Sequence, residues 1–482
     1  MITLLLLIPL IGSIILLAIP EEKKSTLKQI ALSTSLINLF LSIFLWIQFD
    51  SNCTSYQFVE EFNELTSFHF HLGVDSLSLY FVLLTTFITP LCILSNWIDI
   101  NKKLKYFLIS FLLLETLQIA VFVVLDLLLF YIFFESVLIP LYLVIGIWGA
   151  SQARIRAAFL FFLYTFVGSL FMLLAILVIY KNVGSTDFQL ISLIEISLES
   201  QKILWLAFFL AFAVKTPVWP MHLWLFRAHA ESPLAGSILL AAIILKLATY
   251  GFLRIIIPFF PDACSFYAPL VQTIGIITLI YASLATIRQI DTKALIAMSS
   301  VAHMSVVVLG VFSNTIQGIE GAILLSIAHG FVSPALFICV GGILYSRYHT
   351  RIINYYRGLV LTMPVFTILF FVFTLFNTAI PLSLNWLGEF LALSGIFQNS
   401  AIVGALGASG IVLSACYSMW LYSRISYGSF SPNLNPTIDI SRREFMLLLP
   451  LLILTVVFGI FPNIILESLH LSVSTLLYNI NI

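Results

Sequence analysis

The sequence predicts an all-α polytopic membrane protein of about 14 transmembrane helices, and three observations carry that reading. Of the 482 residues 61% are hydrophobic and 9% charged, a balance that leaves no water-soluble surface to build. Apolar runs of about 20 residues, the length that crosses a hydrocarbon core, recur between short polar breaks from end to end. Basic residues gather on alternate breaks, as they do where one face of a membrane collects Lys and Arg.

The runs lie near 2–19, 28–48, 76–96, 106–123, 127–148, 157–180, 203–223, 233–254, 266–287, 294–313, 318–344, 360–398, 402–423 and 444–464. The first, MITLLLLIPLIGSIILLAIP, has neither the Arg-rich, Ser-rich amphipathic character of a transit peptide nor a secretory cleavage site, and reads as a retained first membrane helix. Asp126 divides the fourth run from the fifth, an acid at a helix end. Pro217 and Pro220 follow Lys215 closely and remove backbone donors, which predicts a break in the seventh helix. The segment 360–398 is too long for one straight crossing and contains Pro381, which predicts a second broken helix. The whole reads as one integral membrane domain, 1–482. Within it 1–105 holds the first three helices, 106–255 the next five, 256–425 five more, and 426–482 the last helix and a tail.

Charge tests the count. The odd-to-even loops collect Lys23, Lys24 and Lys28; Lys102, Lys103 and Lys105; Arg154 and Arg156; Arg227; Arg288 and Lys293; Arg347, Arg351 and Arg357; and Arg424, Arg442 and Arg443, which is 17 of the 22 basic residues. Opposite them stand Lys181, Lys202 and Arg254, while Lys215 and Lys246 fall inside spans. This asymmetry places both termini on the non-basic side. An internal echo links LYTFVGSLFML (163–173) to AHGFVSPALFI (328–338) and LKLATY (245–250) to LSACYS (413–418), each pair five spans apart. An odd offset inverts the second copy, as in many transporters, whereas short apolar matches also arise by chance; both readings stand.

Composition excludes several classes of function. Twenty-two acidic and 22 basic residues give zero net charge, with no basic block to hold nucleic acid. Cys53, Cys92, Cys264, Cys339 and Cys416 stand far apart, without the paired spacing of a metal site or iron–sulfur cluster, so no metal or bound redox centre is expected in this chain. No phosphate loop and no nucleophile beside a base occurs. Lipid, other membrane proteins and small ions are the expected partners.

What remains is charge at membrane depth, where an ionised side chain costs about 2.5–3.5 kcal/mol even on a translocon insertion scale. Glu135, in FYIFFESVLIPLY, has no basic residue on its own helix. Lys215, in LAFAVKTPVWP, stands before the break, where freed carbonyls need a protein-lined or wet cavity. Lys246 lies mid-span in LLAAIILKLATYGF, with a stem long enough to snorkel. His329, in SIAHGFVSP, carries an imidazole suited to relaying protons near neutrality, and His303, in SSVAHM, is a weaker candidate of the same kind. Glu389 follows Pro381 in the second broken helix. Glu115, with Gln118 one turn on, either lines a half-channel or bonds another helix. The strip MHLWLFRAHAESP, with His222, Arg227, His229 and Glu231, is a solvated loop or the mouth of an entry path.

Acid, base, base, imidazole and acid on separate helices are the parts of a proton relay. A Glu–Lys pair about 4 Å apart is worth about 4 kcal/mol at an effective dielectric of about 20, so changing one distance is enough to move a proton.

At these residues the sequence resembles the chain 4 family of the proton-pumping NADH:ubiquinone oxidoreductase, respiratory complex I, in its mitochondrial form. The stretches that carry the likeness are FYIFFESVLIP, GIWG, VKTPVWPMHLWL, AHAESPLAGS, AAIILKLATYGF, IAMSSVAHM, IAHG and LGEF, in family order from the fifth to the twelfth span. The resemblance implies an antiporter-like subunit of the membrane arm, with two inverted five-helix repeats and broken seventh and twelfth helices. It also implies that NADH, FMN, the iron–sulfur clusters and most of the ubiquinone site belong to other subunits, other antiporter-like subunits among the neighbours. Carried over, Glu135 pairs with Lys215, Lys246 is the central relay lysine, His329 and His303 line the connecting axis, and Glu389 ends it. Phe226 stands where proline is usual, Ala230 for valine, Ser232 for alanine, Met298 for tyrosine and Ala248 for glycine, which leaves the geometry of the mouth and any role for Arg227 open. The implied location is the mitochondrial inner membrane with both termini on the intermembrane-space side, an alphaproteobacterial plasma membrane being the alternative. A subunit of a multisubunit sodium/proton antiporter shares the same motifs and is the rival function.

Overall fold

The computed structural model describes residues 1–62, 70–194 and 196–478. In chain order it forms α1 (Ile2–Ala18), α2 (Lys24–Gln48), a hairpin of β1 (Gln57–Phe62) and β2 (Phe70–Val74), α3 (Ser76–Ser95), α4 (Leu104–Val123), α5 (Leu127–Trp148) and α6 (Arg154–Val183). Then come α7 (Leu198–Lys215), α8 (Leu223–Glu231), α9 (Leu234–Phe259), α10 (Pro261–Ile287), α11 (Thr292–Val311), α12 (Ile316–Tyr348), α13 (Pro364–Asn377), α14 (Leu384–Asn399), α15 (Ala401–Ser426), α16 (Arg442–Ile460) and α17 (Asn463–Tyr478). Among the described residues eleven helices are long and apolar enough to cross a membrane, and α1, α13 and Asn463–Leu477 are shorter apolar helices. The chain is an all-α polytopic membrane protein, with one hairpin among the described residues.

Three features depart from the sequence reading. Residues 57–62 pair antiparallel with 70–74 between the second and third helices, a short alternating pattern hidden among long apolar runs. The tail beyond 464 is helical, its apolar residues too few for a full crossing. Arg254, placed by its charge in a loop, is buried in α9 with its Nη2 2.5 Å from Asp75 Oδ1, its Nε 3.0 Å from the Tyr250 hydroxyl and its Nη1 3.1 Å from that of Tyr56. A guanidinium held by a carboxylate and two phenols has the oxygen it would otherwise seek in water.

The chain divides into two compact units. The first comprises Met1–Thr216, Ile243–Tyr267 and the chain from Glu467 onward; the second comprises Pro217–Ala242 and Ala268–Leu466. In the first, the helical ladder of α5 falters at Val137, and Pro140 has no N–H for the carbonyl four residues before it. Helix α7 ends at Lys215: Thr216 N–H still reaches the Phe212 carbonyl at 2.8 Å, but Pro217 has no donor to continue. The seventh span is thus broken, and α8 resumes only at Leu223. Lys246 lies on a short α-helical stretch, Leu245–Gly251, between π-helical turns at Leu240–Ile244 and Phe252–Ile256.

In the second unit α12 and α14 touch backbone to backbone. A Cβ on Gly321 would lie 2.2 Å from Ala392 N, one on Gly388 2.6 Å from Leu325 N, and one on Gly395 2.4 Å from Gly318 N. Small residues at such a crossing let helices approach where lipid supplies no hydrophobic drive. The twelfth span breaks between α13 and α14, with Ala379 (φ 56°) and Leu382 (φ 73°) in left-handed conformations either side of Pro381. Ser383 caps the new start, its Oγ 3.3 Å from Trp386 N. Gly388→Val forces this crossing apart and is expected to cost about 1–3 kcal/mol as overpacking does. It is read as a lower thermal midpoint of the detergent-solubilised protein, and an unchanged midpoint would show that the crossing yields freely.

Candidate functional site

The side chains singled out in the sequence form two groups, one in each unit. In the first unit Lys215 is buried, its Nζ 2.8 Å from the carbonyl oxygen of Phe134 and 3.3 Å from the centre of that ring. Glu135, the next residue, is close enough to feel the ammonium charge, but among the described residues Lys215 forms no ion pair within 4.0 Å. The Glu135–Lys215 pairing that the resemblance implies thus acts across a gap, while the direct contact of the ammonium is with the neighbouring carbonyl. One oxygen of the Glu135 carboxyl is left without a hydrogen bond. The carbonyl of Phe134 lies where the ladder falters, and it accepts the ammonium instead.

Lys246 is wholly enclosed on α9, which packs on α3, α4 and α7, so its stem does not snorkel. Gly251 permits the approach to α7, since a Cβ there would lie 2.5 Å from the Phe212 ring. Glu115 bonds another helix: its Oε1 accepts from Asn38 Nδ2 at 2.7 Å. Asp126 caps α5, accepting from the N–H groups of Leu128 and Leu129, each at 2.9 Å, as its helix-end position implied.

In the second unit His303 is engaged at both ring nitrogens. Nδ1 is 2.8 Å from Glu389 Oε1 and Nε2 is 3.3 Å from the Tyr417 hydroxyl. The rings of His303 and His329 are centred 6.0 Å apart, and all four side chains are buried. A carboxylate, an imidazole and a phenol in series, with a second imidazole beside them, are able to pass a proton by short hops between hydrogen-bonded atoms. In the mouth strip Arg227 is exposed, its guanidinium 5.7 Å from the Phe226 ring, while His229 stacks on Phe337 at 4.8 Å. Among the described residues no group of three or more His, Cys, Asp or Glu converges to hold a metal ion.

The profile of the family described as NADH:quinone oxidoreductase/Mrp antiporter, TM matches residues 124–414, which includes Glu135, Lys215, Lys246, His303, His329 and Glu389. The chain belongs to this family. It is 67% identical to the NADH-ubiquinone oxidoreductase chain 4 of Mycosarcoma maydis, over 99% of this chain and 100% of that one. Among solved structures it is similar to a chain of respiratory complex I from Thermus thermophilus, with a TM-score of 0.91, 28% identity and full coverage of both chains. A chain of the Mrp complex from a Dietzia species has the same fold, with a TM-score of 0.89 and 18% identity over 99% of this chain and 98% of that one.

Within this family fold, sequence reasoning missed two residues. Tyr417 stands on an apolar helix with no charge to flag it; the only signal was its place in LSACYS, one half of the internal echo. Lys293 was assigned to a basic loop, yet it is 4% exposed in the first turn of α11. Conversely His303, the weaker histidine of the sequence, is the one bonded directly to Glu389. Removing the hydroxyl in Tyr417→Phe and the ring in His303→Ala is expected to be non-additive by about 1 kcal/mol, the worth of one neutral hydrogen bond. Thermal midpoints of the two single variants and the double variant measure it, and additive losses would place the hydroxyl's main bond elsewhere.

Proposed function

We propose that this chain is a proton-translocating membrane subunit of NADH:ubiquinone oxidoreductase, coupling electron transfer from NADH to ubiquinone to proton movement across the membrane. What carries the reading is 67% identity along the whole chain to a protein named as chain 4 of that enzyme, in a chain that buries a lysine, Lys215, at a helix break. The chain acts as a translocase subunit and does no redox chemistry itself. FMN, iron–sulfur clusters and ubiquinone are handled by other subunits of the complex, and its neighbours in the membrane arm include other antiporter-like subunits.

The relay residues are Glu135, Lys215, Lys246, His329 and Glu389, with His303 joining Glu389 to Tyr417. Lys215 holds its ammonium on a neutral carbonyl one residue from a carboxylate. Swinging from that carbonyl to Glu135 gains an ion pair of about 4 kcal/mol at an effective dielectric of about 20, enough to decide whether the lysine keeps its proton. Lys246, wholly enclosed on α9, is the next acceptor. In the second unit Glu389 and His303 exchange a proton along a 2.8 Å bond, with His329 beside them.

The chain works in the mitochondrial inner membrane, with both termini on the intermembrane-space side and the basic loops in the matrix. A subunit of a multisubunit sodium/proton antiporter is the rival, favoured by the family description that spans both classes. Purification separates the two: the chain is expected in a complex with NADH:quinone activity, and its recovery from a complex without that activity favours the antiporter. Lys215→Ala and Glu135→Ala are each expected to lower proton pumping coupled to quinone reduction at least about tenfold, a barrier change of about 1.4 kcal/mol. NADH oxidation by an artificial acceptor stays intact. Wild-type coupled turnover in either variant removes that residue from the relay.

A further inference from the structure

We propose that Lys293 is the basic-side entry of a proton path to His303 and His329, an assignment that rests on the relay reading above and extends it to a residue outside that relay. Lys293 opens α11 behind its cap, Asp291, whose Oδ1 accepts from Lys293 N at 2.8 Å. Its side chain runs inward. Nζ is 3.0 Å from the Ser232 carbonyl oxygen and 3.4 Å from Ser237 Oγ, and the hydroxyls of Ser232 and Ser237 are 2.6 Å apart. Room for the stem is made by Gly341 in the π-helical turn of α12, where a Cβ would lie 2.5 Å from Lys293 Cε.

Outside the lysine lies a lid of opposite charges. Arg351 is 3.5 Å from Glu231 Oε1 through Nη2 and 3.5 Å from Asp291 Oδ2 through Nε, and it also donates to the Ala230 carbonyl. Inside it lies a pair of buried hydroxyls. Ser300 is seven residues further along α11 and so on the same face. Its Oγ is 3.2 Å from Ser333 Oγ, His303 follows three residues later, and His329 precedes Ser333 by one turn. Lys293 and His303 are about 15 Å apart along the helix axis, with the serine pair between them. All of these residues belong to the second unit.

The step balances as a proton transfer. A protonated carboxyl of Glu231 or Asp291 gives its proton to the neutral amine of Lys293, leaving a carboxylate paired with Arg351. The resulting ammonium passes a proton inward by way of the Ser300 and Ser333 hydroxyls to the His303 imidazole, which restores the amine. The competing role is a fixed clamp, in which the ammonium only holds the Ser232 carbonyl where α9 begins. Arginine separates the two, because it keeps the charge and the donors but does not release a proton.

The experiment measures protons moved per NADH oxidised, and the coupled rate, for the intact complex in sealed vesicles carrying Lys293→Arg, Lys293→Gln, Ser300→Ala or, as reference, Lys215→Ala, with assembly checked on native gels. Lys293→Arg and Lys293→Gln are both expected to slow coupled turnover at least about tenfold, and Ser300→Ala several-fold. Wild-type turnover in Lys293→Arg with an impaired Lys215→Ala overturns the proposal, leaves the relay standing and makes Lys293 a clamp. Wild-type turnover in both overturns the relay as well. Should Lys293→Arg fail to assemble, Ser300→Ala decides: a slowed rate upholds the path and an unchanged rate overturns it.

Discussion

A cation at membrane depth must be given oxygen, and a regular helix has little to spare because its carbonyls are already bonded four residues on. Most of what is unusual in this chain follows from that constraint. Lys215 takes its oxygen from Phe134, at a point where α5 loses its regular ladder. Its own helix stops at once, cut by Pro217. Lys246 is bracketed by two π-helical turns, Glu389 stands six residues after the Thr378–Ser383 break, and Lys293 lies at a helix start against a third π-helical turn. Irregular backbone accompanies each of these charges, and at Lys215 and Lys293 a carbonyl outside a regular ladder accepts the ammonium.

The two groups differ in how tightly they are held. His303 has a partner at each nitrogen, and its helix and those of Glu389 and His329 are fixed by glycine crossings that leave no slack. Changing that arrangement means moving backbone against backbone. Lys215 by contrast is held by one neutral carbonyl and an aromatic face, with a carboxylate one residue along from that carbonyl, one of whose oxygens has no hydrogen bond. A side chain with four rotatable bonds has little to break before it reaches that carboxylate. The first unit thus contains the more easily switched element, and the second the more rigid conductor.

Much of this was legible in the sequence, for physical reasons that also explain the rest. Proline and spacing announced the break after Lys215 and the one before Glu389, because a missing N–H acts locally wherever the chain goes. Asp126 was legible as a cap, since an acid between two apolar runs has few other places to be. The identity of partners was not legible. Whether Lys215 meets Glu135 or the carbonyl beside it depends on side-chain direction and on where the ladder of α5 falters. Arg254 and Lys293 were misplaced for one shared reason: a charge near the end of an apolar run reads as a loop residue, and only tertiary partners such as Asp75 or Ser232 reveal that it is buried. Tyr417 carries no formal charge, so nothing in its own helix distinguished it from a packing residue.

The contact between Lys215 and a carbonyl rather than a carboxylate bears on how such a device is driven. Were the lysine already locked to Glu135, the pair would sit at the bottom of its electrostatic well, and an outside event would have to supply about 4 kcal/mol to part them. Held on a neutral dipole one residue away, the ammonium already feels the carboxylate but has the closer contact still to gain. A shift of α5 or α7 by the distance between two neighbouring residues is then enough to change the proton affinity of both groups, and no new bond to a distant partner is needed. The break at Pro217 makes that shift local, because α7 has no continuous ladder through which displacement of its last turn would be resisted.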